Sequence, residues 1–398
     1  MKLGTRAGEI VALLKPLVRK RDSSLLRVLD LEGVYKPLLP EELGNILPNL
    51  KYLGLRWTLL ERLPKSVARL SHLETLDLKY TDISNLPKSI LEAENLRHLH
   101  MTNVDLDDSV RPLLDLKKLF SNIQTIWGLV INNDGSPMLE VLGKLTSLIK
   151  LALTCKVQGE WASIQPILNL EMLKSLRLKL GGSSSNKMGD MSRLNSLSNL
   201  YLEGVLHMES LLESHIPPNL KVLTLSMLNL KEDPMGVLGK LKCLTTLRLF
   251  ADSYCGQILS VSEGTFPSLC VLKLWNLKEL TTWTIQGNAM PCLADLEIKD
   301  CEELKTIKGL CKIKTLEIIT LVRVLDELER SVRKKKLNVP IIAKPEEQSD
   351  EEDMQSDEED TQSDEEDVQS DEEDTNEEKD QDGYSEEDDD DIKDDNDC

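Results

Sequence analysis

One spacing dominates this chain. Leucine and its apolar relatives fall in the pattern LxxLxL, and the pattern returns about every 24 residues. Copies stand at Leu26-Leu29-Leu31, Leu50-Leu53-Leu55, Leu73-Leu76-Leu78, Leu96-Leu99-Met101, Leu148-Leu151-Leu153 and Leu173-Leu176-Leu178. They continue at Leu197-Leu200-Leu202, Leu220-Leu223-Leu225, Leu244-Leu247-Leu249, Leu269-Leu272-Leu274 and Leu293-Leu296-Ile298. Two weaker copies, Ile123-Ile126 and Ile313-Leu316-Ile318, bring the number to thirteen. A unit this short cannot enclose its own core, so neighbouring units must stack and share one apolar interior. The expected architecture is an α/β solenoid, a curved parallel sheet of about thirteen short strands spanning residues 26–320. In each strand the LxL pair points inward and the intervening residues face out.

Other segments read as caps and connections. Residues 1–25 form an expected amphipathic lead-in helix. The phrases LPEEL, LPKSV and LPKSI, starting at Leu39, Leu63 and Leu86, place proline where a short helical turn can begin on the convex side. The periodicity loosens between 102 and 147, with an enlarged loop from Gly128 to Pro137. A Gly/Ser-rich insert follows from Gly181 to Asp190. Over 321–336 the pattern turns helical, with Leu321, Val324, Leu325, Leu328 and Val332 on one face. That predicts a capping helix within a cap-and-linker segment, 321–344, whose Lys334, Lys335 and Lys336 suit the negative end of the helix dipole.

Charge divides the chain. Residues 345–398 hold 31 Asp/Glu against Lys379 and Lys393, a net charge near -29, while residues 1–344 net +8. Inside the tail QSDEED recurs at Gln348, Gln355, Gln362 and Gln369. Low hydrophobicity and dense like charge predict a disordered acidic tail. Its Ser349, Ser356, Ser363 and Ser370 each precede acidic residues, as acidophilic kinases prefer, and are candidate phosphosites. Such a tail is suited to a basic protein partner.

Little in the sequence points to catalysis. Gly143-Lys144-Leu145 and Gly239-Lys240-Leu241 lack the glycine spacing and the Ser/Thr of a phosphate loop. GxSxG, HExxH and the kinase motifs are missing. The eight cysteines are scattered without CxxC, which predicts reduced thiols and no zinc. His98 and His100 flank Leu99 and read as outward strand residues rather than a metal pair. No cofactor, no enzyme activity, no nucleic-acid partner and no membrane span are expected. The run IVALL is too short for a secretory leader, and Asn-X-Ser/Thr does not occur. A cytoplasmic protein, also compatible with the nucleus, is expected.

The concave sheet face is the candidate binding surface. Its outward positions carry Tyr52, Trp57, Tyr80, His100, Trp127, Tyr201, Phe250 and Trp275, and the same face collects Arg56, Lys79, Lys150, Arg177, Lys179, Arg248 and Lys273. Exposed aromatics and arginines in a concavity are the residue types that carry binding energy. An acidic protein surface would suit this face, and so would the chain's own tail, acting as an autoinhibitor.

The period is that of leucine-rich repeats, and the phrasing is more specific. LRVLDLEG, LPNLKYLGLRWTLLERLPKSVARLSHLETLDLKYTDISNLPKSI, NLRHLHM and NIQTIWGL resemble the repeat domain of plant intracellular disease-resistance receptors, the coiled-coil, nucleotide-binding, leucine-rich-repeat class. The resemblance covers roughly residues 20–320. It implies recognition of a pathogen effector or a guarded host protein, and restraint of a nucleotide switch. The nucleotide-binding domain itself is not in this sequence, so an adaptor, decoy or truncated sensor acting with a full-length immune receptor is implied. In that family the first repeats contact the nucleotide-binding region, a location matched here by Arg56, Trp57, Lys79 and Tyr80. The acidic tail is similar instead to that of acidic leucine-rich nuclear phosphoproteins, which bind histones or inhibit phosphatases.

Overall fold

The structure is a computed structural model. It describes residues 25–344, apart from 87–89, 91–92, 107–121, 133–135, 157–160, 182–189, 206–215, 336 and 338. The expected lead-in helix, Leu25 excepted, and the acidic tail with its four serines lie outside the described residues, as do the centres of the two loop inserts.

The leucine period builds a solenoid. Strands are numbered in chain order. Fourteen of them form one sheet: β1 (Val28–Asp30), β2 (Tyr52–Gly54), β3 (Thr75–Asp77), β4 (His98–Asp105), β5 (Thr125–Ile131), β6 (Lys150–Cys155) and β7 (Ser175–Leu180), then β8 (Asn199–Glu203), β9 (Val222–Ser226), β10 (Thr246–Phe250), β12 (Val271–Trp275), β14 (Asp295–Lys299), β16 (Ile318–Val322) and β17 (Ile341–Lys344). Every neighbouring pair is parallel, and equivalent repeat positions sit side by side: Leu53 pairs with Leu76, Leu76 with Leu99, Leu247 with Leu272. The leucines Leu53, Leu76, Leu99, Leu223, Leu247 and Leu272 all have 0% exposure. Each such burial contributes roughly 1.5–3 kcal/mol, so stacking supplies the stability that no single repeat has.

Polar groups repeat as well. In three repeats the residue just before the leucine triplet reaches back to the preceding unit: the amides of Asn95, Asn122 and Asn219 donate to the carbonyls of Ser71, Glu94 and Asn195 at 2.6, 2.7 and 3.0 Å. One residue further on, after Leu244 and Leu280, the Thr245 and Thr281 hydroxyls donate to the carbonyls of Lys221 and Gln257. The asparagine bonds satisfy carbonyls at the turns, whereas the Lys221 and Gln257 carbonyls also accept backbone N–H groups of the next repeat.

The convex side is built from short turns. Helix α1 (Leu43–Ile46) follows LPEEL, and a 3-10 turn (Lys65–Arg69) follows Pro64 of LPKSV. Helices α2 (Pro137–Leu142) and α3 (Met235–Leu238) continue the pattern. The last repeats depart from it. There β11 (Ile258–Val261), β13 (Thr282–Ile285) and β15 (Thr306–Lys308) form a second parallel sheet. Alternation explains the change: Leu259, Val261, Trp283, Ile285 and Ile307 are buried while the residues between them are not.

The cap differs from its expected extent. Leu321 is not helical; it is a buried inward residue of β16, alternating with Ile319. Helix α4 runs over Asp326–Lys334, and of the expected apolar face only Leu328 and Val332 are buried on it. The segment after it is no plain linker, because Ile341–Lys344 pairs as β17 with β16 and extends the sheet by one strand. Acidic Asp326, Glu327 and Glu329 in the first turn and Arg333 and Lys334 in the last complement the helix dipole.

A candidate protein-interaction face

Strand register fixes the geometry of the concave surface. The residue between the two inward leucines of one repeat lies beside its equivalent in the next. One such row runs Asp77, His100, Trp127 and another runs Arg177, Tyr201, Thr224, Arg248, Lys273, Glu297. A second row lies two residues further along, holding Arg56, Lys79, Lys179, Glu203, Phe250, Trp275 and Lys299.

The strongest concentration is at β3 to β8. Lys79 Nζ lies 4.7 Å from the centre of the Trp127 ring, and the Arg177 guanidinium lies 5.9 Å from Trp127 and 3.8 Å from Tyr201. A cavity of ≈ 250 Å³ opens here, lined by Lys79, Tyr80, Met101, Thr102, Asn103, Trp127, Gly128, Ala152, Leu153, Thr154, Arg177 and Lys179. Gly128 is part of its lining. It sits in the bulge where the β4–β5 and β5–β6 registers shift, at φ +79°, and a Cβ there would overlap the Met101 carbonyl. Three cations line the cavity, against the neighbouring carboxylate of Glu203, which lies 3.9 Å from Arg177 and 3.3 Å from Lys179. The Tyr201 hydroxyl donates to that same carboxylate at 3.1 Å. Burial above all, opposed by the Arg177 charge, pushes the Tyr201 phenol up to about 12, so it remains a donor.

Trp57 and Tyr80 stand elsewhere than expected. β2 and β3 end at Gly54 and Asp77, so both rings lie on the turn beyond the strand. They stack on one another with centroids 3.9 Å apart, and Trp57 remains 45% exposed. Both adopt left-handed backbone, φ 60° and 57°. In equivalent places of other repeats that conformation falls to Gly33, Asn103, Gly204, Asn276 and Asp300, which tolerate it, and also to Met227, Ala251 and Arg323, so it belongs to the repeat turn itself. A bulky aromatic costs about 1 kcal/mol or more there. Arg56, beside this stack, pairs with Asp77 at 3.4 Å, and Asp77 also accepts from the Lys79 backbone N–H.

Two expectations about exposure do not hold. Phe250 and Trp275 are 5% and 9% exposed, because they stack at 4.3 Å on adjacent strands and cover each other. Lys273 and Lys299 lie over Trp275 at 5.0 and 5.1 Å and close its other side. The face is also less purely basic than its cations alone imply. Lys273 pairs with Glu297 at 3.4 Å, and burial lifts the Glu297 carboxyl above its ordinary range despite that lysine. Arg248, half-buried, sits between Thr224 and Lys273. Tyr52 is half-buried near Asp77 and Asp30, its phenol pushed up to about 12, mainly by burial. Asp77, Glu203, Glu297 and Lys299 complete the face. Their offsets from the leucine pattern equal those of the cations, so the same counting would have found them.

His100 occupies the centre of the first row. Its Nδ1 is buried without a hydrogen-bond partner among the described residues. Burial first, then the charges of Lys79, His98, Arg56 and Lys150, bring its pKa down to about 3. The unfolded chain takes up that proton near pH 6.5 while the folded chain refuses it, so this group withdraws stability as pH falls below 6.5. Between pH 7 and pH 5 wild type is expected to lose about 2 kcal/mol more than His100→Asn in urea unfolding. Parallel losses in the two proteins would contradict this environment for His100. The neighbouring His98 bonds Thr125 Oγ1 at 3.0 Å, and no group of three His, Cys, Asp or Glu among the described residues is placed to hold a metal. Cys155 and Cys301 are buried thiols whose pKa burial raises to about 12.

The fold and this face define a leucine-rich-repeat solenoid. The chain belongs to the family described as leucine-rich repeat region, whose profile matches residues 14–339. Among curated proteins it is similar to Disease resistance protein RPP8 of Arabidopsis thaliana, 30% identical over 50% of this chain and 22% of that protein. It is also similar to the Probable disease resistance RPP8-like protein 4 of the same plant, 30% identical over 74% of this chain and 33% of that one. It thus spans a fifth to a third of the length of these relatives. The internalin InlF of Listeria monocytogenes shares the fold at 17% identity and a TM-score of 0.52, over 86% of this chain and 96% of that one. The chain is a leucine-rich-repeat domain of the plant disease-resistance type. Among the described residues no helix is long and apolar enough to cross a membrane.

Proposed function

We propose that the concave face between β3 and β8 is a protein-docking surface acting in plant defence, its partner a pathogen effector, a guarded host protein or a resistance receptor. The observation that carries this is the Lys79–Trp127–Arg177–Tyr201 cluster around one open cavity. A rigid aromatic flanked by arginine and lysine at the centre of a concavity has the composition of an interface hot spot. The two relatives named above, both disease-resistance proteins, supply the biological setting. The chemistry is binding without catalysis, and the proposed place of action is the cytoplasm, extending to the nucleus.

The Trp57–Tyr80 stack and Arg56 form the rim of this surface nearest the N-terminal end of the sheet. Under this reading they contact the nucleotide-binding portion of a resistance receptor and restrain its switch. The test is direct. The purified chain is titrated against the coiled-coil and nucleotide-binding portion of an RPP8-type protein in its ADP and ATP states. Binding that is tighter in the ADP state supports the restraint reading. Saturable binding indifferent to nucleotide contradicts restraint and leaves docking alone, and absence of binding removes the receptor as partner.

A further inference from the structure

Of the remaining features, the acidic sequence beyond β17 and the cationic cavity at β3–β7 belong together. We infer that the QSDEED repeats beyond Gln355 dock, within the same chain, into the cavity bounded by Lys79, Trp127, Arg177 and Lys179. The docking rests on the cavity's own chemistry. Its consequence, that the tail competes with a partner for this face, rests on the docking-surface reading above.

Charge comes first. Lys79, Arg177 and Lys179 line the cavity, Lys79 and Arg177 buried at 3% and 8% exposure and Lys179 accessible, with Glu203 the carboxylate on its edge. Thr102, Asn103 and Thr154 line it with neutral hydrogen-bonding groups. Such a site draws carboxylates in a row, with Lys179 the direct contact and the charges of Lys79 and Arg177 acting from just beneath the surface. Each QSDEED copy supplies four acidic residues in succession. Serine between them adds a hydroxyl, and its phosphorylation would strengthen the same contacts.

Reach comes second. The sheet order places β7 seven strands from β17, and β3 eleven. At about 4.8 Å per strand, these are spans of about 35 and 55 Å. Repeats starting at Gln355, Gln362 and Gln369 lie 11, 18 and 25 residues beyond Lys344. Fully extended, these segments reach about 37, 60 and 85 Å. The copy at Gln348, only 4 residues beyond Lys344, falls short of Lys179. A covalent tether also holds the tail at an effective concentration in the millimolar range, enough for several individually weak charge contacts.

The sign of the salt response separates docking from its absence. A free polyanionic segment repels itself, extends at low ionic strength and contracts as salt screens it. A docked segment does the opposite, since salt releases it. The experiment uses the full chain at low micromolar concentration. Its radius of gyration is followed by small-angle X-ray scattering from about 20 to 500 mM NaCl, and carbodiimide cross-links between lysines and carboxylates are mapped at both ends of that range. The expected result is a radius that rises with salt. Intrachain cross-links should join Lys179 to carboxylates after Gln355 at low salt, fall at least fivefold at high salt, and be lost in a chain whose Asp and Glu between 357 and 373 are Asn and Gln. A radius that falls or stays constant, tail cross-links confined to Lys334 and Lys335, or cross-links only between chains would overturn the inference. Tail docking can fail in this experiment while receptor binding persists, so the two readings fall separately.

Discussion

Trp283→Ala is expected to destabilise the last repeats by about 3–5 kcal/mol, the largest effect of any single substitution considered for this chain. The indole is fully buried on β13, between Leu259 of β11 and Ile307 of β15. It fills the interior beneath the second, convex sheet, and alanine would leave a void that rigid neighbours cannot close. Its Nε1 is buried without a hydrogen-bond partner among the described residues. Burying that N–H already costs about 1–3 kcal/mol, so Trp283→Phe, which keeps most of the ring and drops the donor, is expected to cost less than about 1.5 kcal/mol. Because each repeat contacts only its neighbours, the loss should be local. Guanidinium unfolding gives the two energies, and hydrogen exchange gives their location, with faster exchange over Ile258–Lys308 and little change in β1 to β7. Equal costs for the two variants, or acceleration spread evenly along the solenoid, would contradict this account of the packing.

The solenoid was legible because the inward leucines leave no freedom. A shift of one residue in any strand would turn its leucines to solvent, so LxxLxL sets both the strand position and its neighbour's register. The strands themselves proved shorter or longer than a uniform pattern implies. β2 stops at Gly54 because the chain turns into left-handed backbone at Trp57, and that turn is invisible in a sequence where tryptophan takes the place of glycine or asparagine. The convex sheet escaped notice because its strands, ILSV, TWTI and TIK, are short and sit where the earlier repeats carry helical turns. The capping helix starts five residues later than its apolar pattern implies, since Leu321 fits a helical face and a strand equally well; pairing with Ile298 decides for the strand.

The binding face was legible in composition and less so in arrangement. Counting outward positions finds Trp127, Arg177 and Tyr201, and their mutual contacts follow from strand register. Exposure does not follow. Phe250 and Trp275 occupy equivalent places on neighbouring strands, and two large rings so placed bury each other. Lys79 is 3% exposed because Trp127 covers it, which charge alone would never indicate. The face is less basic than its cations alone imply for a similar reason: Asp77, Glu203 and Glu297 stand beside them, Glu203 at the edge of the cavity itself.

The proposed partner site is this cavity together with its Trp57–Tyr80–Arg56 rim. Trp127 is its anchor: half-buried, with Lys79 and Arg177 against its ring and one face toward the cavity. Truncating a central aromatic of this kind usually costs at least 2 kcal/mol of binding, about 30-fold in affinity. It also exposes two cations that the indole now shields. The solenoid should stay folded, because the leucines beneath this strand are untouched. Met172, exposed between β6 and β7 at 55%, serves as a control of similar apolar character away from the cavity. The most direct measurement is the affinity of wild type, Trp127→Ala and Met172→Ala for the nucleotide-binding portion of a coiled-coil resistance receptor, with far-UV circular dichroism confirming the fold of each. The prediction is a loss of 30-fold or more for Trp127→Ala and less than twofold for Met172→Ala. Equal affinities for all three, or a larger loss at Met172, would contradict it.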